Sequence, residues 1–172
     1  VSEQPWTFVN GWYLIGPFTT GNSAGLNRAY TPESVVDLDG AYTGPDGRTL
    51  KWQYRKEEDP GTVYFAHQTN NAVNYAFTHV KAERATTAWM AIGSDDAARV
   101  WLNGQEISGP GWHGNKEPWL FSFGHDLPGY ACHLHYRGYR QVTLKKGVNT
   151  LLLRVENRPG GTGFAVYIRP TG

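Results

Sequence analysis

Apolar and polar positions alternate along most of this chain with a period of two, the signature of half-buried β-strands. Leu50, Trp52 and Tyr54 alternate with Lys51, Gln53 and Arg55. Between 72 and 80, Val73, Tyr75, Phe77 and His79 fall on one face and Ala72, Asn74, Ala76, Thr78 and Val80 on the other. Further strands are expected over 12–18, 63–65, 86–92, 99–102, 105–107, 141–144, 150–156 and 164–169. Turn residues separate them: Ser94–Asp95–Asp96, Asn103–Gly104, Lys146–Gly147–Val148–Asn149 and Pro159–Gly160–Gly161. Asn-Gly between two apolar runs is the strongest short hairpin signal. Gly16–Pro17 suggests a strand end or a sheet edge, and residues 19–47 read as polar loop. No segment carries a sustained helical period with caps.

Many short strands with turns between them predict an all-β fold, an antiparallel β-sandwich or jelly roll, built as one domain over residues 1–172. The expected core is Ile15, Tyr75, Phe77, Met90, Ile92, Val100, Leu102, Val142, Leu144, Leu151, Leu153, Val155, Phe164, Val166 and Ile168. In the run 150–156 the all-apolar face of Leu151, Leu153 and Val155 is assigned to the interior, and Leu152, Arg154 and Glu156 to the opposite face.

One stretch breaks the pattern. Residues 109–140 form a long insertion carrying Trp112, Trp119, Phe121, Phe123, Tyr130, Tyr136 and Tyr139, with His113, His125, His133 and His135. Long connections without regular structure are usually functional or disordered, and disorder goes with few aromatics. An ordered aromatic surface on a rigid scaffold is therefore expected.

Composition narrows the chemistry. The 172 residues carry a formal net charge of +1 with both signs interspersed, so no basic stripe points to nucleic acid. No apolar run is long enough for a membrane span, and no signal peptide is read at the start of the chain. Cys132 is the only cysteine, which rules out an internal disulfide.

Specific words then stand out. Trp12–Tyr13–Leu14–Ile15–Gly16–Pro17–Phe18 resembles the opening of a group of bacterial β-sandwich modules. The run from Ala91 to Gly104, with Gly93–Ser94–Asp95–Asp96 and Val100–Trp101–Leu102–Asn103–Gly104, resembles their hairpin. The run from Leu144 to Val155, with Lys145–Lys146–Gly147 and Leu151–Leu152–Leu153, and the closing stretch 161–168 match their final strands. These modules are similar to the galactose-binding-like jelly roll, including the sugar-binding domain of family 2 glycoside hydrolases and PA14-like accessory domains. The resemblance implies a sugar-binding module attached to a polysaccharide-active enzyme or a bacterial cell surface, hence an extracellular or periplasmic location. The insertion at 109–140 is the main departure from the pattern.

A sugar ring offers an apolar C–H face edged by hydroxyls, so a flat indole or phenol beside polar groups suits it. Trp112, Trp119, Tyr136 and Tyr139 are the expected stacking residues. Arg137, His113, His133 and His135 are the expected polar partners. The alternative for the same rings is a satellite core over one sheet. His133–Leu134–His135 with His125 or Cys132 is a candidate zinc or copper set, although the spacing matches no strong metal signature. Asp95–Asp96 is either a calcium-holding pair or a β-turn in which Asp caps backbone N–H groups, the latter being favoured. No cofactor is assigned, and the fold resemblance allows a structural calcium. No nucleophile elbow or P-loop is present. The expected function is a non-catalytic carbohydrate-binding module for a poly- or oligosaccharide, joined to a catalytic domain. The alternatives are a structural spacer or interface domain, and a small lyase or metal-dependent enzyme using the His/Tyr-rich loop.

Overall fold

The computed structural model describes residues 4–108, 112–115 and 136–171, with backbone alone at 114, 115, 136 and 137. Two antiparallel sheets pack face to face as an all-β sandwich. The first sheet runs β1 (Thr7–Phe8), β14 (Gly163–Pro170), β8 (Thr86–Asp95), β12 (Tyr136–Leu144), β11 (His113–Asn115), with β6 (Val63–Tyr64) also on β14. The second runs β10 (Gln105–Glu106), β9 (Ala98–Leu102), β13 (Gly147–Asn157), β7 (Ala72–Ala82), β2 (Gly11–Thr19), β5 (Gln53–Lys56). A small hairpin pairs β3 (Ala41–Thr43) with β4 (Thr49–Lys51). From β7 onward the chain passes repeatedly from one sheet to the other, which is what a jelly roll requires.

Alternation builds the interior. Leu151, Leu153 and Val155 of β13 face Met90, Val142, Val166 and Phe164 across the sandwich. Trp12 completes this core, its ring meeting Phe164 edge-on at 4.9 Å and its indole N–H bonded to the Val9 carbonyl at 2.8 Å. The Asn103–Gly104 hairpin forms as expected. Both residues are left-handed (φ 51° and 79°), and Leu102 pairs with Gln105 across a two-residue loop.

The second sheet is buried on both faces, which corrects two expectations. Residues 19–47 are not a loose loop. They contain 3-10 turns at Ser23–Asn27 and Thr31–Glu33 and lead into the β3–β4 hairpin, and together these cover the sheet's outer face. Leu26, Tyr30, Tyr42, Leu50 and Trp52 form a second core with Ile15, Phe18, Tyr75, Phe77 and Leu152. Ile15, Tyr75 and Phe77 therefore point away from the sandwich interior, where Trp12 and Ala76 sit instead. On β7 the small side chains face the opposing sheet and the large ones face the cover. The phenol of Tyr42 pins the cover, donating to Val35 O (3.0 Å) and accepting from Asp37 N (2.8 Å) and Trp52 Nε1 (3.2 Å).

Two boundaries also shift. β2 continues through Gly16–Pro17 with a register change between Ile15 and Phe18, rather than ending there. β12 begins at Tyr136, five residues earlier than the strand expected from 141, because it pairs residue by residue with β8 from Ser94 to Thr86. The last part of the expected insertion is thus regular sheet. The other residues of 109–140 that lie outside the described ranges include Trp119, His133 and His135.

Candidate functional site

The strand register sorts the aromatic residues by face. On the outer side of the first sheet, one continuous row crosses five strands: Phe8, Tyr167, Ala91, Tyr139 and His113. With strands about 4.8 Å apart, this row is about 19 Å long. The adjacent row places Arg169, Trp89 and Gln141 side by side. Residues of opposite parity, including Met90, Ile92, Val142 and Val166, are in the core, so the face is set by the period of the strands.

Three rings cluster at one end of this face. The Tyr139 ring lies 5.5 Å from Trp89 at 61° and 5.5 Å from His113 at 36°. Trp89 and His113 lie 6.5 Å apart at 66°. His113 is exposed, and Trp89 and Tyr139 are half-buried. At the other end, Phe8 and Tyr167 pack at 5.2 Å, and the Arg169 guanidinium sits 4.7 Å over the Trp6 ring. Ala91 and Ala165 lie between the two groups, with Trp6, Phe8 and Tyr139 packed around them. The face is a band of rings on a small-residue floor, edged by histidine, glutamine and arginine.

Trp112 lies elsewhere. It is one residue before His113, so an extended backbone turns it to the inner side of the sheet. There it is half-buried against the sandwich core, and its indole N–H donates to the Ile107 carbonyl at 2.6 Å. Arg140 donates to the same carbonyl at 2.8 Å and holds its guanidinium 5.7 Å over the Trp112 ring. Gly138 makes room for this packing: a Cβ there would lie 3.3 Å from both the Trp112 ring and the His113 carbonyl. Trp112 thus closes the sandwich edge between β10 and β11 against the main core and takes no part in the outer ring cluster.

The remaining expected residues are placed as follows. Tyr139 and His113 come together on the outer face. Arg137 stands two residues before Tyr139 on β12 and pairs with Gly93 on one side and Asn115 on the other. Tyr136 pairs with Ser94. Trp119, His133 and His135 lie outside the described residues. Trp89 was not among the expected site residues, yet it is central to the cluster. Its signal was available: in the run 86–92 it falls on the face opposite Met90 and Ile92.

The acidic turn has a structural use. The Asp96 carboxylate accepts the Arg158 N–H at 2.7 Å, and the Asp96 N–H donates to the Glu156 carbonyl at 2.8 Å. Both bonds tie the turn to the end of β13 rather than capping N–H groups within the turn itself. Among the described residues, no group of three or more His, Cys, Asp or Glu is placed to hold a metal ion, and no helix is long and apolar enough to cross a membrane.

No protein-family model and no curated protein matches the chain. Solved structures similar to it include a β-glucosidase from Kluyveromyces marxianus in complex with glucose, at 12% identity and TM-score 0.46, covering 93% of this chain. A β-glucuronidase from Faecalibacterium prausnitzii is similar at 12% identity and TM-score 0.43, covering 99% of this chain. A family 35 carbohydrate-binding module from Clostridium thermocellum is similar at 10% identity and TM-score 0.36, covering 63% of this chain and 87% of its own. The chain spans 16% of the β-glucosidase and 32% of the β-glucuronidase. These likenesses lie in the arrangement of strands.

Proposed function

We propose that this chain is a non-catalytic carbohydrate-binding module that docks a poly- or oligosaccharide on the outer face of its first sheet. The observation that carries the reading is the cluster of Trp89, Tyr139 and His113 on that face. Flat rings held by sheet register lose little entropy on binding and present apolar area to sugar C–H groups. His113 and Gln141, with Arg137 of the same strand as a proposed third, supply hydrogen-bonding groups for hydroxyls at the edge of the rings. Trp119, His133 and His135, from the same insertion, and Tyr136 at the start of β12 remain proposed contributors. Trp112 supports the strand that carries His113.

The motifs shared with accessory modules support attachment to a catalytic domain in an extracellular or cell-surface protein. Individually weak contacts then act by raising the local concentration of the enzyme at its substrate.

Affinity electrophoresis of the chain through gels containing plant, algal or bacterial polysaccharides tests the reading. Retardation by at least one polysaccharide is expected. Trp89→Ala and Tyr139→Ala should each weaken it by about tenfold, equivalent to ~1.4 kcal/mol. Full retardation of both variants removes the reading, as does free migration of the parent chain in every gel. Loss of association with a linked domain in the same variants would make the face an interdomain interface.

A further inference from the structure

The facing sheets meet along two edges. One is closed by Trp112 and Arg140 on the Ile107 carbonyl. At the other, edge strand β5 of the second sheet faces the segment following β6 of the first, and a cleft of about 310 Å³ lies between them. Lys51, Gln53 and Arg55 line one side and His67 the other, with Asn74 of β7 in the inner wall. Among the described residues, no aspartate or glutamate lines it.

Each polar side chain that lines this cleft can donate a hydrogen bond, and Lys51 and Arg55 can only donate. Arg55 is already held, its Nε on Glu57 at 2.8 Å and its Nη1 on the Tyr64 carbonyl at 3.1 Å. Lys51 is exposed and makes no ion pair with a described residue. Asn74 is 1% exposed, and its side-chain Nδ2 has no acceptor among the described residues. A buried N–H without an acceptor costs about 1–3 kcal/mol, so such a group calls for a reason. The wall beside it is shaped to the amide: a Cβ on Gly16 would fall 2.1 Å from Asn74 Oδ1. At the rim, Tyr54 is 60% exposed, with one side of its ring against Tyr13 at 5.1 Å.

We propose that this edge cleft is a second ligand site, separate from the outer-face rings, and that it takes an oxyanion, a carboxylate or a sulfate ester, carried on a small polar ligand such as an acidic sugar. Lys51 supplies the unspent charge, and Gln53, His67 and Asn74 supply directional donors. A ligand oxygen at the inner wall gives the Asn74 amide the acceptor it lacks, and Tyr54 offers a flat rim for the body of the ligand. The inference is independent of the carbohydrate-module reading.

Titration of the full chain, followed by amide-resolved NMR, tests it. The probes are sodium galacturonate, glucose 6-sulfate, inorganic phosphate and glucose. The anionic sugars should shift the Asn74 side-chain amide and the backbone signals of Lys51 and His67, with affinity falling as salt is raised. Lys51→Glu, on an exposed side chain, should weaken the anionic sugars by about tenfold with the melting temperature unchanged. Trp89→Ala should leave these shifts intact, which separates this site from the outer face. Galacturonate without the sulfate, or the reverse, identifies which oxyanion is taken. A response to phosphate alone overturns the sugar ligand. Equal responses to glucose, or no shift at Asn74, Lys51 and His67 with any probe, overturn the site.

Discussion

Arg154 of β13 and Glu33 of the covering segment form an ion pair at 2.7 Å, 121 positions apart in the chain and almost wholly out of water. Arg154 is 2% exposed, on the strand face opposite Leu153 and Val155. Its Nη1 also donates to the Arg28 carbonyl at 2.5 Å and its Nη2 to the Leu26 carbonyl. One guanidinium thus ties the 3-10 turns of the cover to the second sheet. Removing one partner of such a pair leaves a buried charge uncompensated, so Arg154→Ala should cost about 3–5 kcal/mol. Glu33→Gln keeps a hydrogen-bond acceptor and should cost less. Denaturant unfolding of both variants checks the order, and equal small losses would show the cover to be held by its apolar contacts alone.

Tyr75 belongs to the same group, donating its hydroxyl to Glu33 Oε1 at 2.7 Å. Burial, reinforced by that bond, pushes its phenol well above the ordinary tyrosine range. The sign follows from linkage: the folded state holds this proton more tightly than the unfolded chain does. The resulting stability is complete below the unfolded value, about pH 10, and drains away as pH rises beyond it. Parent protein should therefore lose stability steeply above about pH 10. Tyr75→Phe should be weaker at neutral pH by about 1 kcal/mol and show a shallower alkaline decline. Parallel alkaline curves for the two proteins would remove Tyr75 as the group responsible.

Gly16 is set by contact as well as by conformation. Its φ is 149°, and an added Cβ would fall 2.1 Å from Asn74 Oδ1 and 3.1 Å from Asn74 Cα. The nearer atom belongs to a buried side chain and the other to the backbone of a central strand, so neither yields cheaply. Gly16→Ala should destabilise by about 1–3 kcal/mol, read as a lower denaturation midpoint with an unchanged m-value. Pairing it with Asn74→Ala should recover part of the loss, since the two clash directly.

The sandwich was largely legible because its strands alternate and its turns are chemically distinct. Leu151, Leu153 and Val155 could be assigned inward from their spacing alone, and Asn103–Gly104 marked its own hairpin. The second core was not legible. On β7 both faces are apolar enough to be buried, and a period of two does not say which face meets the opposing sheet. Ala72 and Ala76 against Tyr75 and Phe77 was the available clue, since small residues suit close sheet approach. The cover itself was hidden by its polar composition, Tyr30, Tyr42 and Leu50 being isolated apolar residues in turn-rich sequence. For the ring cluster, Tyr139 and His113 were anticipated as types, but their alignment across two strands is a matter of register. Trp89 could have been placed outward by parity, from its spacing to Met90 and Ile92, whereas Trp112 needed the pairing of β11 with β12.

That parity separates the two tryptophans by experiment. Trp112 is half-buried on the core, its N–H is bonded to Ile107, and Arg140 stacks on it. Truncation leaves a void, strands a carbonyl contact and removes the support of Arg140, so Trp112→Ala should cost about 2–3 kcal/mol. Trp89 lies on the outer face, where its ring meets those of Tyr139 and His113 among the described residues. Its removal should change stability by no more than about 1 kcal/mol. Polysaccharide retention should respond in the opposite order, lost in Trp89→Ala and kept in Trp112→Ala below the temperature at which that variant melts. Thermal melts and gel retardation on the same two preparations give both readings. A Trp112→Ala variant that melts like the parent but no longer binds would move the sugar surface from the sheet face to the sandwich edge.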